Sequence, residues 1–246
     1  MFSATIAVAT GRRVLRQLRH DHQTLAMVLA LPAAELTLLR FVLDSEPAVF
    51  DRWAVPLLGV FPLITMFLVT SVAMLRERTS GTLERLLTTP MHKLDLLAGY
   101  AVAFALAAVT QAVVTTSIAY GLLGVDSRGS VWLVMAISVA NALLGMALGL
   151  FTSAFARTEF QAVQLMPAVV IPQLLLCGLV WPRDQMAGFL IAVSRVLPMT
   201  YAIDALREVA VDAHPSSSVW RNLGIVAFAA AASLALGAAT LRRRSP

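Results

Sequence analysis

Residues 53–75 read WAVPLLGVFPLITMFLVTSVAML, and residues 76–100 continue RERTSGTLERLLTTPMHKLDLLAGY. The first run carries no charge from Trp53 to Leu75. A bilayer-spanning helix needs about 20 mostly apolar residues, so this run is long enough to cross a membrane. The second run places Arg76, Glu77, Arg78, Glu84, Arg85, Lys93 and Asp95 ahead of the next apolar stretch. Charge at that density must face water, so the chain is expected to leave the bilayer at Arg76 and return near Leu96.

The rest of the chain repeats this alternation. Of its 246 residues 59% are hydrophobic and 13% charged, with a mean hydropathy of +0.79. A soluble domain carries roughly 45–50% apolar and about 25% charged residues, so a soluble fold is not expected. Spanning runs fall at Thr24–Leu43, Trp53–Leu75, Leu96–Leu123, Trp132–Phe155, Gln161–Trp181 and Val219–Leu241. The first is the weakest, because Pro32, Glu35 and Arg40 interrupt it. A barrel would alternate apolar and polar residues over about ten positions, and these runs are continuously apolar. The expected fold is all-α and integral to the membrane, a single six-span transmembrane domain over residues 1–246.

Six spans put both termini on one side, and the Lys/Arg-rich side is the cytoplasmic one. With the N-terminus inside, Arg12, Arg13, Arg16, Arg19, Arg76, Arg78, Arg85, Lys93, Arg157, Arg242, Arg243 and Arg244 of the 19 basic residues lie inside, close to helix ends. The expectation is N-in, C-in. Residues 1–10 lack a charged start, and Arg12 and Arg13 follow in place of a cleavage site, so the first span is expected to act as its own insertion signal. Residues 1–23 form an interfacial arm: Val14, Leu15 and Leu18 lie among Arg12, Arg13, Arg16 and Arg19, the pattern of a basic amphipathic helix on a membrane surface.

The sequence pI of about 10.3 invites a nucleic-acid reading. The arginines flank spans and form no stripe with aromatics, so anionic headgroups fit better and no nucleic-acid partner is expected. His20 and His22 flank Asp21 without a third ligand, and no metal site is expected. Cys177, the only cysteine, reads as packing. Arginine far exceeds lysine and alanine is abundant, a bias of high-GC bacterial genomes.

In the charged passage at 76–95, Ser80 or Thr82 can cap a short helix with Leu83, Leu86 and Leu87 on one stripe. Thr89-Pro90 then suits the start of a new helix. Such a short helix cannot bury its leucine face alone, so lipid or a partner protein must cover it. Within the spans, Asn141, Gly145 and Gly149 recur at the small-residue spacing that lets helices approach closely. Glu35 is a carboxylate inside a span, which is costly and marks either a substrate or gating role or a structural pair. The fifth span carries Pro167 and Pro172 with Gln161, Gln164 and Gln173, a bent helix suited to lining a pathway or to packing. Residues 182–218 read as short amphipathic helices dipping into the outer leaflet, the first with Met186, Phe189, Leu190, Val193 and Leu197 on one face and Pro198 ending it.

The run RERTSGTLERLLTTPMHKLDLLAG resembles the signature of ABC-2 type transporter permeases, the class that includes daunorubicin-resistance-type exporters. The run LPMTYAIDALR at 197–207 resembles that family's segment before the last span. The arm and the six-span layout agree, so the resemblance covers nearly the whole chain. It implies that the passage after span two is a coupling helix fitting a groove on a separate ATP-hydrolysing subunit, with Gly81, Thr82, Leu83, Glu84, Arg85 and Leu86 in contact. It places span five near a dimer axis, which makes Gln164, Met166, Val169, Gln173 and Leu176 candidate lining residues beside Glu35. It gives residues 182–218 the part of re-entrant outer helices that cap the exit.

The expected function is therefore one half of a dimeric membrane domain, paired with a second copy or a paralogue and with two ATPase subunits. It would export a hydrophobic drug-like or lipid-like substrate across a bacterial cell membrane, as antibiotic-resistance exporters do. A phosphate-cradling G-x-x-x-x-G-K-[ST] loop needs a lysine, and the only one, Lys93, follows His92. ATP and Mg²⁺ are thus expected on the partner, with no cofactor and no catalytic residue in this chain, which is not expected to be an enzyme. The alternative is a stand-alone secondary transporter or channel. That would need ionisable relays or inverted repeats, and the spans offer only Glu35 and no duplicated half. A membrane enzyme or scaffold would need a His, Asp or Glu cluster near an interface, and none stands out.

Overall fold

Inside a bilayer every backbone N–H and C=O must be satisfied within the protein, and continuous apolar runs do so as helices. The computed structural model describes residues 4–79, 93–214 and 216–240, and every regular element among them is a helix. In chain order these are α1 (Ala4–His20), α2 (His22–Val42), α3 (Pro47–Thr79), α4 (Lys93–Gly121), α5 (Val131–Thr152) and α6 (Glu159–Leu176). A 3-10 turn at Arg183–Gln185, α7 (Gly188–Ser194), α8 (Pro198–Val211) and α9 (Ser217–Thr240) complete the order. Helices α2, α3, α4, α5, α6 and α9 are each long and apolar enough to cross a membrane, and each coincides with one expected span.

Three local expectations change. The arm helix begins at Ala4, about two turns before the Arg12–Arg19 stretch whose pattern marks it in the sequence. Helix α2 runs unbroken through Pro32 and Glu35. It starts on an Asp21 cap, whose carboxylate accepts from the Thr24 amide at 3.0 Å and the Thr24 hydroxyl at 2.6 Å. Those two bonds hold the Asp21 carboxyl below its ordinary value, so the cap is intact at neutral pH and is lost as pH falls through that lowered value. Arg40 ends the same helix paired with Asp44 at 3.2 Å and stacked over Phe50. The third change concerns α3, which is 33 residues long and therefore roughly 50 Å at 1.5 Å per residue. It outreaches a hydrocarbon core of about 30 Å, so the helix runs past the expected span end at Leu75 and carries Arg76, Glu77 and Arg78 on its last turns.

The centre of the bundle is the α3–α5 pair. In each, 61% of the most apolar window is buried, against 17% in α6. Lipid tails are as apolar as leucine, so membrane helices are held by close packing and interhelical hydrogen bonds. A Cβ on Gly145 would overlap the Leu63 carbonyl, and one on Gly149 would overlap that of Phe67. One turn away Asn141 Nδ2 donates to the Gly59 carbonyl at 2.9 Å, and the Thr70 hydroxyl lies 3.2 Å from the Met146 carbonyl. The Asn141–Gly145–Gly149 face is thus a packing face, as its spacing indicates.

Two clusters surround this pair. One joins Leu58, Leu63 and Phe67 of α3 to Ile137 and Leu144 of α5 and to Ile203 and Leu206 of α8. The other joins Met66 and Met74 of α3 to Phe104 of α4, Met146 of α5 and Val14 of α1. Helix α1 crosses α4 where Gly11 meets Gly99, and a Cβ on Gly99 would lie 2.6 Å from Thr10 Cβ. At the end of the bundle away from the arm, α7 and α8 meet at 85°. The expected single helix from Met186 to Leu197 is shorter, Gly188–Ser194, and Pro198 opens α8 at its first turn. The corner is tied by the Thr200 hydroxyl to Ser194 O at 2.8 Å and by Tyr201 to Arg195 O at 2.5 Å. The α4–α5 loop then staples the end of α8, with Arg128 N and Gly129 N donating to Ala210 O and Val209 O at 3.0 Å each.

Candidate functional site: the helix ends around residues 80–92

The coupling residues Gly81, Thr82, Leu83, Glu84, Arg85 and Leu86 lie outside the described residues. The helices that lead into and out of that segment are described, and their arm-side ends are held by charge. Arg13 of α1 donates to the Tyr100 hydroxyl of α4 at 2.6 Å, sits over its ring, and reaches Glu77 of α3 at 3.5 Å. Tyr100 is buried and the Glu77 side chain is 13% exposed. Three helices therefore converge on one guanidinium. Arg is suited to that task because its fork offers five donors in fixed directions.

A second set ties the end of α3 to the start of α6. Arg76 Nε and Nη2 meet the two Glu159 carboxylate oxygens at 2.8 and 3.1 Å. The pair is more than half exposed, so in water it is worth about 0.2–1 kcal/mol. Its bidentate geometry fixes direction more than it adds stability. Arg78 donates to the Ser153 carbonyl, the C-cap of α5, at 2.5 Å, where a cation also suits the negative helix end. Beside these anchors lie two open recesses. One, of about 530 Å³, is lined by Arg12, Arg13, Arg16, Gln17 and His20, and the other, of about 340 Å³, by Phe155, Arg157, Gln161, Gln164 and Leu165.

The pathway candidates distribute along α6. Gln164 is exposed, Met166, Val169 and Leu176 are half-buried, and Gln173 is buried. The Gln173 amide is committed locally: Nε2 donates to Val169 O at 3.2 Å, and Oε1 accepts from Met199 N at 3.4 Å in the first turn of α8. Helix α6 runs unbroken through Pro167 and Pro172. Phe160, Val163, Ile171 and Leu175 form an exposed apolar stripe along it. Glu35 lies half-buried on α2, beside the exposed Leu31 and Leu38, and is not brought next to the α6 residues, since α2 and α6 share no substantial contact.

Sequence reasoning missed the anchoring residues Arg13, Glu77, Tyr100, Glu159 and Ser153. It also missed a latch at the opposite end, where Arg183 Nη2 lies 2.7 Å from both Asp204 oxygens. Arg183 also packs against Gly178, whose φ of +88° favours glycine. These pairs join positions 21 to 87 residues apart, and no local pattern encodes such partners. Arg183→Gln is expected to lose about 1.5–3 kcal/mol, the range for hydrogen bonds to charged groups. It should loosen the α7–α8 corner, read as a lower thermal midpoint in detergent and faster proteolysis after Trp181.

These features define a polytopic helical membrane protein whose bundle presents charged, tied-down helix ends on one side and a bent helix pair on the other. The chain belongs to the ABC-2 type transporter family, whose model matches residues 5–211. It is similar to the probable multidrug ABC transporter permease YbhR of Escherichia coli, 27% identical over 180 residues, which cover 72% of this chain and 49% of that protein. The inner membrane transport permease YhhJ of the same species is 27% identical over 177 residues, 70% of this chain and 46% of that one. ABC transporter G family member 20 of Dictyostelium discoideum is 30% identical over 141 residues, 57% of this chain and 19% of that protein. The chain thus matches less than half the length of each of these relatives.

Proposed function

We propose that this chain is the permease half of an ATP-driven exporter, working as a dimer with a second copy or a paralogue and driven by two copies of a separate ATPase subunit. The observation that carries the reading is the anchoring of α3 and α4 on either side of residues 80–92. A lever transmits force only if its ends are held, and Arg13, Arg76 and Arg78 hold those ends to α1, α6 and α5. In this reading ATP closure on the partner pushes the Gly81–Leu86 segment. The push passes directly into α3 and α4, and through Arg76–Glu159 into α6. The two recesses beside the anchors give the ATPase a basic and polar ledge to rest on.

The exposed stripe Phe160, Val163, Ile171, Leu175 of α6 supports an interface with the second copy. Gln164, Met166, Val169 and Leu176 then border the route and Gln173 stands behind them, whereas Glu35, on α2, lies away from these α6 residues. An apolar route suits a hydrophobic drug-like or lipid-like cargo, and the word multidrug in the names of relatives such as YbhR points the same way. ATP and Mg²⁺ bind the partner in this scheme, and the chain's own part is mechanical. We place it in a bacterial cell membrane with both termini inside.

Two measurements test this. Copurification should recover an ATPase with a phosphate-binding loop whose hydrolysis rises when the permease and an exported compound are present; recovery of a transport-competent protein without one would favour a secondary transporter. A cysteine at Ser217 should react with an impermeant reagent from outside and one at Ser80 only from inside. The reverse pattern would overturn the orientation.

A further inference from the structure

We infer that Gln111 and Thr115 of α4 and Ser138 of α5 hold water inside the bundle. All three are at most 1% exposed. Among the described residues, neither amide atom of Gln111 nor the hydroxyls of Thr115, Thr116 and Ser138 have a hydrogen-bond partner. A buried polar group left unmatched costs several kcal/mol in so apolar a setting, so something must satisfy them.

Helix geometry does not explain the missing bonds. Elsewhere in the spans hydroxyls turn back to the carbonyl four residues earlier: Thr65 to Phe61 at 3.0 Å, Thr70 to Met66 at 2.6 Å, Thr152 to Leu148 at 2.8 Å and Ser233 to Ala229 at 2.8 Å. Thr110, the immediate neighbour of Gln111, does so to Leu106 at 2.8 Å. Thr115 and Ser138 have the same option and turn elsewhere. Their placement is coherent. Helices α4 and α5 run antiparallel, and Phe104, Ala107 and Ala108 cluster with Met146 and Ala142. One to two turns further from the arm along both helices stand Gln111, Thr115 and Ser138.

Full burial within one chain excludes lipid, a second copy and an ATPase as the occupant. None of the side chains carries a formal charge, so a cation would gain no charge compensation. A small neutral group that both donates and accepts is required. Water meets that description and needs two to four polar partners, which Gln111, Thr115 and Ser138 supply. The layer sits on the helix that leads directly out of residues 80–92.

The test uses the full chain in lipid nanodiscs with Ser138→Cys and hydroxyl-radical pulses read by mass spectrometry. Cys177, buried and bonded to Leu174 O at 3.1 Å, is the internal dry control and also reports folding. Cys at 138 should oxidise several-fold faster than Cys177, and adding Gln111→Leu with Thr115→Val should bring it down to the Cys177 rate. Equal rates in the folded chain, indifference to the two added substitutions, or a rate that follows Na⁺ or K⁺ concentration would each overturn the proposal. Where Ser138→Cys does not fold, Thr115→Cys is read in the same way.

Discussion

Gly145→Leu is expected to prevent the chain from accumulating as a monodisperse membrane protein. A Cβ at 145 overlaps the Leu63 backbone carbonyl, and backbone cannot swing aside as a side chain can. Overpacking a core costs about 1–3 kcal/mol and occasionally more when it must move backbone, and here the displaced pair is α3–α5, the centre of the bundle. Pushing these helices apart also breaks the Asn141–Gly59 and Thr70–Met146 bonds, with nothing in a bilayer to replace them. Gly224→Leu is the control: a Cβ at Gly224 meets nothing within 4 Å, and its yield and thermal midpoint should match the wild type. Size-exclusion profiles and melting curves in one detergent separate the two outcomes.

Glu84→Arg is expected to leave the chain inserted and folded while reducing transport-coupled ATP hydrolysis at least about tenfold, since reversing a charge at a charged interface costs several kcal/mol and about 1.4 kcal/mol is tenfold. Glu and Arg have similar helix propensities and the substitution reverses the sign of the charge, so a fall in coupling without a fall in melting temperature points to lost docking. Wild-type ATPase stimulation and retention of the partner on a column would sink the docking assignment. Arg13→Gln offers a comparison of a different kind. It removes the guanidinium shared by Glu77 and Tyr100, and should lower both the melting temperature and the coupling.

The helices were legible because a bilayer imposes one length and one hydrogen-bonding solution, so apolar runs of the right size located all six long apolar helices among the described residues. Their ends were less legible. Hydropathy stops at Leu75, whereas α3 continues to Thr79, because a helix carrying Arg76 and Arg78 into water loses nothing by continuing. Interruptions at Pro32, Pro167 and Pro172 looked disruptive in sequence yet sit inside α2 and α6. Neighbouring helices and local adjustments re-satisfy the freed backbone groups in a membrane. The Asn141–Gly145–Gly149 spacing did identify a packing face, since close approach demands small residues wherever the partner lies.

The sequence by itself determined the class of fold, the number of long apolar helices, the break at Pro198 and the family signature at 76–99, all of which rest on local composition and spacing. Only the tertiary structure decided that Arg13 joins Glu77 and Tyr100, that Arg76 clasps Glu159, that Arg183 latches onto Asp204, and that Gln173 serves α8. The physical reason is range. Periodicity and propensity act over a few turns of helix, whereas the choice of partner for a charge is made by helices that meet only after the bundle has packed.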